Sequence, residues 1–80
     1  MSDEAILAGI QEVARLHLAW EGKLAPEMRL IEDLRLDSVR LLTLAAEVEN
    51  HFRVFLDELD EGAIATVGDL VSVIRRKLGG

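Results

Sequence analysis

The sequence predicts an all-α fold: a four-helix bundle with a long loop between the first and second helices and a short third helix. Apolar residues recur at intervals of three and four along much of the chain, which is the helical period. Strand patterns are poor, because the chain has two Phe, one Trp and no Tyr, and its β-branched residues do not alternate with polar ones. With 80 residues, the chain is expected to form one domain over residues 1–80, too small to enclose a deep substrate cleft.

The first helix is predicted to begin near Asp3 and to end before Gly22. Asp3 and Glu4 suit its first turn, where the positive end of the helix dipole favours negative charge. Its apolar stripe consists of Ile6, Ile10, Val13, His17 and Trp20. The spacing brings these side chains to one face, which is therefore expected to pack on the core.

The second helix is predicted to begin at Asp37 or Ser38 and to run for about four turns. Its apolar side consists of Leu41, Leu42, Leu44, Ala45, Val48 and Phe52, and a polar stripe consists of Arg40, Thr43, Glu47 and His51. This division is typical of an amphipathic helix.

Thr66 and Asp69 indicate the start of the last helix, because they have the spacing of a capping box. Its apolar face consists of Val67, Leu70, Val71, Ile74 and Leu78. Between the second and last helices, the stretch 57–63 offers at most one short helix, with Leu59 and Ile64 expected to tie it to the core.

The segment from Glu21 to Leu36 has no sustained period and contains the helix breakers Gly22 and Pro26. Its large apolar residues are Leu24, Met28, Leu30, Ile31, Leu34 and Leu36. A solvated linker would not carry so many of them, so we expect an ordered crossover that packs on the bundle and leads to Asp37 and Ser38.

Composition excludes several classes of function. The net charge is −6 and no basic patch precedes the last turn, so we expect neither nucleic acid nor an anionic membrane as a partner. The chain has no cysteine, so neither a disulfide nor a thiolate-bound metal can support the fold. An acidic N-terminus and the lack of a long apolar run favour a cytoplasmic protein without a membrane span, and we expect a monomer.

Asp37 and Ser38 are two good N-cap residues in a row, and the plainest interpretation is that one of them caps the second helix. Their surroundings add a second interpretation. The stretch 34–42, Leu-Arg-Leu-Asp-Ser-Val-Arg-Leu-Leu, resembles the modification-site region of acyl carrier proteins. The resemblance continues through residues 47–52 and through Leu56, Asp57, Ile64, Thr66 and Val67, and it includes residues 30–34 upstream.

The resemblance implies a carrier rather than an enzyme. Ser38 matches the serine that carries covalent 4′-phosphopantetheine, Asp37 the aspartate before it and Val39 the aliphatic residue after it. The thiol of this group would hold acyl intermediates as thioesters between enzymes of fatty-acid, polyketide or related lipid and secondary-metabolite synthesis. The implied partners are a phosphopantetheinyl transferase and acyl/AMP ligase or synthase enzymes. The family fold has four helices, the third of them short.

The chain departs from the housekeeping fatty-acid carriers in the first turn after the serine. Those proteins have acidic residues two and five positions after it, on the face that meets partner enzymes, whereas this chain has Arg40 and Thr43. Glu47, one turn further, keeps a negative charge on that side. We therefore expect Arg40, Thr43 and Glu47 to take part in partner docking, and a specialised discrete carrier. In the family the bundle can shelter the acyl chain, and the small Ala45 and Ala46 would leave room for it, although ordinary close packing of helices is the plainer explanation of these residues.

Other functions fit the sequence less well. A catalytic pair of Ser38 and His51 is excluded by a separation of about 20 Å along one helix. Distance does not exclude His17, which lies on another helix, but it follows the core stripe and is better explained as a packed or partly exposed residue. Neither histidine has the spacing of a metal ligand, so we expect no metal site. The C-terminal Gly79 and Gly80 are reminiscent of diglycine-tailed β-grasp proteins, but helical periods stand where strands would be needed, and a helix C-cap explains the pair.

The remaining alternative is a helical interaction module without a prosthetic group. Trp20 and Phe55 would be its exposed anchors, although their spacing favours core positions.

Overall fold

The computed structural model describes residues 1–79 and confirms the all-α prediction. Its helices are α1 (Asp3–His17), α2 (Ser38–Phe52), α3 (Glu58–Gly62) and α4 (Val67–Lys77). A long crossover joins α1 to α2, and α3 is the short third helix. Within the described residues there is no strand, and one isolated bridge pairs Arg29 with Thr66. No helix in that part of the chain is long and apolar enough to cross a membrane.

The core lies between α1, α2 and α4. Its most deeply buried side chains are Ile6, Ile10, Val48, Val67 and Ile74. Helix α1 approaches α2 closely because Gly9 has no side chain: a Cβ at this position would lie 2.4 Å from Phe52 Cζ. The two helices therefore meet at a glycine, and the Phe52 ring fills the space that it leaves.

The crossover is ordered, as predicted, and its backbone binds the start of α4. The Val67 N–H donates to the Met28 carbonyl at 2.9 Å, and the Gly68 N–H donates to the Pro26 carbonyl at 2.8 Å. In return, the Leu30 N–H donates to the Ala65 carbonyl at 3.1 Å. Most of the predicted apolar contacts form as well, with Leu24, Leu30, Leu34 and Leu36 buried and Met28 half-buried, whereas Ile31 is exposed.

Helix α3 is held to α4 through Asp60, which is buried. Its carboxylate accepts the Asp57 N–H in a capping box and forms ion pairs with Lys77 Nζ at 2.7 Å and Arg76 Nη2 at 2.9 Å. The hydrogen bond from Lys77, followed by that from the Asp57 backbone, lowers the pKa of Asp60 to about 2. The inward position of this short helix is thus occupied by an acid rather than by a leucine.

The end of α1 differs from the prediction in the position of Trp20. The helix ends at His17 because Ala19 adopts a left-handed conformation with φ 55°, so Trp20 lies beyond the helix rather than on its stripe. Trp20 still packs against the core, half-buried. His17 is an exposed surface residue, with Nε2 3.4 Å from Glu47 Oε1.

Five apolar residues predicted for the core or for an apolar helix face are exposed instead, and two of them, Ile31 on the crossover and Leu78 at the end of α4, are 60% and 38% exposed. Leu42 lies roughly opposite Leu44 on α2, so burying the line of Leu44 and Val48 turns Leu42 outward, 66% exposed. Leu59 is 86% exposed because α3 turns Asp60 inward, and Phe55, 72% exposed, lies in the loop between α2 and α3. Ile64 does pack on the core, as predicted.

The last helix ends at Lys77, and Gly79 follows with φ 82°, its N–H donating to the Arg76 carbonyl at 3.1 Å. This left-handed position agrees with a glycine that ends the helix. Gly80, the other half of the diglycine, lies outside the described residues. The predicted capping box at the start of α4 is present, with Thr66 and Asp69 as its two members.

Candidate functional site

The backbone before Ser38 is fixed on both sides of one strained residue. Leu34 and Leu36 are buried, and between them Arg35 adopts a left-handed conformation with φ 58°. The Leu36 N–H donates to the Leu30 carbonyl at 3.2 Å. The chain is therefore anchored in the core one residue before Asp37 and then emerges at the surface, where Asp37 and Ser38 are both exposed.

The two adjacent polar residues have different roles. Asp37 is the N-cap of α2, and its Oδ1 accepts the Arg40 N–H at 2.8 Å. Ser38 is the first helical residue, and its hydroxyl makes no hydrogen bond to any residue in the described range 1–79. The capping interpretation is therefore correct for Asp37, and it leaves the Ser38 side chain without a structural task.

The start of α2 also has unused backbone donors. Across residues 1–79, the N–H groups of Ser38 and Val39 have no hydrogen-bond partner, and the first turn holds no acidic side chain. Such donors, together with the positive end of the helix dipole, favour an anion beside them. A phosphate ester at Ser38 would fit this environment.

Next to Ser38 a cavity of about 340 Å³ opens between α2, α3 and the crossover. Its floor consists of buried leucines from the crossover, α2, the loop between α2 and α3, and α4: Leu30, Leu44, Leu56 and Leu70. Its walls consist of the half-buried Leu41, Ala45 and Ile64. The volume lies at the lower end of the ~300–1,000 Å³ range of ligand pockets, and the lining suits an apolar guest.

The rim of the cavity differs from its floor. The lining residues that remain exposed are Ser38, Leu42 and Glu61. Of the two alanines expected to leave room for a guest, Ala45 lines the cavity, whereas Ala46 is exposed and lies outside it. Ser38 is thus an exposed hydroxyl at the opening of an aliphatic cavity.

The residues expected to dock partners differ in how far their side chains are exposed. Arg40 is exposed beside Val39, which is 70% exposed. Thr43 is half-buried, and its hydroxyl donates to the Val39 carbonyl at 3.1 Å. Glu47 is half-buried beside His17 of α1. Arg40 is therefore the member of this set that a partner can contact most fully.

His51 does not form a catalytic pair with Ser38. His51 lies in the last turn of α2, at the opposite end from Ser38, with its ring packed edge-on against Phe52 at a centroid distance of 4.8 Å. In the described residues there is no group of three or more His, Asp or Glu side chains that could hold a metal ion.

Comparisons with known proteins identify the class. The chain is 44% identical to an acyl carrier protein of Thermotoga maritima over 59 residues, which cover 74% of this chain and 73% of that protein. It is 30% identical to the meromycolate extension acyl carrier protein of Mycobacterium tuberculosis over 77 residues, covering 95% of this chain and 67% of the relative. It is also 30% identical to an acyl carrier protein of Exiguobacterium over 79 residues, covering 98% and 100%. No protein-family model matches the chain.

A solved structure from Mycobacterium tuberculosis that carries an acyl carrier protein assignment superposes with a TM-score of 0.73 at 31% identity, covering 92% of this chain and 95% of the other. Fold and relatives agree on a small all-α carrier, a class of protein that is acted on rather than catalytic. The chain belongs to the acyl carrier protein family.

Sequence reasoning missed two features of the site. The position of Glu61 at the cavity rim depends on how α3 is oriented, which Asp60 determines. The outward position of Leu42 could have been found, because residues two apart lie on nearly opposite sides of a helix, so burying Leu44 turns Leu42 away from the core.

Proposed function

We propose that Ser38 is the attachment site of 4′-phosphopantetheine and that the protein carries acyl intermediates as thioesters between the enzymes of a lipid, polyketide or related pathway. The observation that supports this most strongly is the free Ser38 hydroxyl at the rim of an aliphatic cavity, with Asp37 performing the capping in its place. When bound, the group supplies a terminal thiol to a chain that has no cysteine.

Residues of this chain fit the two ends of such a cargo. The N–H groups of Ser38 and Val39 would stabilise the phosphodiester, and Asp37 would hold the helix start in place. The floor of buried leucines would cover an acyl chain and exclude water from it. The proposal therefore assigns the polar end of the site to α2 and the apolar end to the cavity.

Intact-mass measurement tests the proposal directly. The protein is incubated with a phosphopantetheinyl transferase and coenzyme A, and we expect a gain of one phosphopantetheine. Ser38→Ala should abolish the gain, and Ser72→Ala, which changes an exposed serine on α4, should leave it intact. An unmodified protein in the presence of an active transferase would refute the proposal, as would modification of Ser38→Ala.

We further propose that Arg40 directs the carrier to specialised partners, such as a dedicated acyl/AMP ligase or synthase. Its exposed cation stands in the first turn of α2, where the charge would alter association with a basic partner surface. Arg40→Asp should improve acylation by ordinary fatty-acid synthesis enzymes without changing the helical circular dichroism. Arg53→Asp applies the same charge change just after the end of α2 as a control. Equal acylation of the wild type and Arg40→Asp would remove this role.

The alternative function, a helical interaction module without a prosthetic group, is favoured by one observation: Phe55 is 72% exposed. Of the two anchors suggested for such a module, Trp20 instead packs on the core. The same mass measurement separates the two functions, because an interaction module would not gain a phosphopantetheine.

A further inference from the structure

A single carboxylate stands at the opening of the otherwise aliphatic cavity. Glu61 lies on α3 and lines the rim together with Ser38 and Leu42. Within residues 1–79 it forms no ion pair, because the basic residues that reach α3, Arg76 and Lys77, both bind Asp60. Glu61 therefore faces the opening with its charge uncompensated by the protein.

This carboxylate affects what can enter. A purely aliphatic acyl group seated in the cavity would remove water from one side of the carboxylate and offer no hydrogen bond in return, which is unfavourable for a charged group. A hydroxyl or amino group at the rim would replace the lost water with a charge-assisted hydrogen bond. The rim thus favours an acyl group that carries a hydrogen-bond donor, whereas the floor favours an apolar chain.

The position of the donor follows from the geometry. Because the cargo is tethered at Ser38 on the rim, the tail of an acyl group enters the cavity first and its thioester end stays nearest the rim. Glu61 is a rim residue, whereas the floor residues are all leucines. A donor far along the chain would meet the leucines, and a donor close to the thioester would meet the carboxylate.

We infer that this carrier prefers acyl groups that bear a hydrogen-bond donor close to the thioester, a hydroxyl or an amino group, and that Glu61 is the residue that recognises it. The inference rests on the proposed attachment of the cargo at Ser38. It names the chemical class of the cargo, and it makes Glu61 a specificity-determining residue.

The absence of cysteine allows a test that does not need the transferase. Ser38→Cys creates one thiol in the chain, which can be alkylated with pantetheine-like arms of equal length that end in a hexanoyl or a 3-hydroxyhexanoyl amide. The inserted population is measured by NMR from contacts between the arm and the methyl groups of Leu30 and Ile64. We expect the hydroxylated arm to favour insertion by about tenfold to a hundredfold, the effect of one hydrogen bond to a charged group.

The same measurement on two variants isolates Glu61. In the Ser38→Cys background, Glu61→Ala should remove the preference for the hydroxylated arm and leave insertion of the hexanoyl arm intact or improved. Glu58→Ala, which changes an exposed acid of the same helix outside the cavity lining, should retain the preference. Circular dichroism verifies that both variants keep their helices.

Several outcomes would overturn the inference: equal insertion of the two arms, no insertion of either arm, or a preference that survives Glu61→Ala or disappears equally with Glu58→Ala. These outcomes are distinct from failure of the proposed function, which the mass measurement at Ser38 detects independently.

Discussion

The first turns of α2 and α4 have similar side-chain caps, but they differ in whether neighbouring backbone covers their first N–H groups. Thr66 caps α4 by accepting the Asp69 N–H at 3.1 Å, as Asp37 caps α2 by accepting the Arg40 N–H. At α4, however, the crossover also covers the first two N–H groups, those of Val67 and Gly68, with its own carbonyls. No segment of the described chain covers the corresponding groups of α2.

The difference shows that a side-chain cap alone does not decide whether a helix start is structural or available to a ligand. The deciding contribution comes from the neighbouring backbone. The closed start of α4 joins the crossover to the bundle, and the open start of α2 exposes a serine and two donors at the surface. Substitutions at α4 should therefore affect mainly stability, and substitutions at α2 should affect mainly function.

The largest expected effect is at the closed start. In Gly68→Ala the new Cβ would lie 3.0 Å from the Pro26 carbonyl oxygen, so the crossover must shift from α4. We expect a loss of about 1–3 kcal/mol in the free energy of unfolding, measured by urea denaturation. Gly62→Ala is the matched control, because nothing lies within 4 Å of its Cβ, and it should be neutral or slightly stabilising. Equal stability of the two variants would show that the crossover does not depend on this close approach.

The two caps should be similar in strength. Thr66→Ala and Asp37→Ala each remove one side-chain acceptor from the third N–H of a helix, and each should lower the free energy of unfolding by about 0.5–2 kcal/mol. Thr66→Ser and Asp37→Asn keep an acceptor and should retain most of the stability. A Ser38→Ala variant as destabilised as Asp37→Ala would contradict the assignment of the cap to Asp37.

Acid should lower the stability that Asp60 and Asp69 contribute around α4. Hydrogen bonds from the Ala65 and Thr66 backbones lower the pKa of Asp69, and the contacts of Asp60 lower its pKa from 3.8 to about 2. Because the pKa values of both aspartates are lower in the folded state, their stabilisation is fully present when the pH is above the pKa of the unfolded state. For Asp60 it is lost as the pH falls from 3.8 towards about 2.

Urea denaturation as a function of pH measures this loss. Asp60→Asn and Asp69→Asn should each reduce the fall in stability through the acid range. Glu27→Gln, which changes an exposed acid on the crossover, should follow the wild type. Parallel pH profiles for all of these proteins would show that the two aspartates do not carry the acid sensitivity.

The smallest effect is expected at the open start. Arg40 places a positive charge in the first turn of α2, against the helix dipole, so Arg40→Glu should raise the free energy of unfolding by about 0.3–1 kcal/mol at low salt. The gain should diminish in high salt, as urea denaturation at two ionic strengths would measure. An unchanged or lower stability at low salt would show that local contacts of Arg40 outweigh the dipole.

The sequence predicts the helices well because their periods and caps are local. The start of α2 at Ser38, the Thr66–Asp69 capping box and the ordered crossover were all available from spacing and residue type. The errors arose where tertiary contacts override the period. A left-handed residue at Ala19 ends α1 early, and Asp60 rather than Leu59 turns inward on α3 because two basic side chains lie at the end of α4.

The position of the candidate site could be predicted from the sequence, but the shape of its cavity could not. The resemblance singled out Ser38, and residue types alone made both Asp37 and Ser38 candidate caps. The cavity is formed by leucines from segments far apart in sequence, and each of them has the same local pattern as an ordinary core residue. The role proposed for Glu61 depends on this three-dimensional arrangement and has no local signal in the sequence.

The contact between the crossover and α4 also has a consequence for the order of folding. The hydrogen bond from Leu30 to Ala65 and those from Val67 and Gly68 join segments separated by about half of the chain. Closing so long a loop has an entropic cost that local helix formation does not have. We therefore expect the individual helices to form before the crossover docks on the start of α4. The segment that leads into Ser38 belongs to this crossover, so the proposed modification site would be fixed only after the helices have formed.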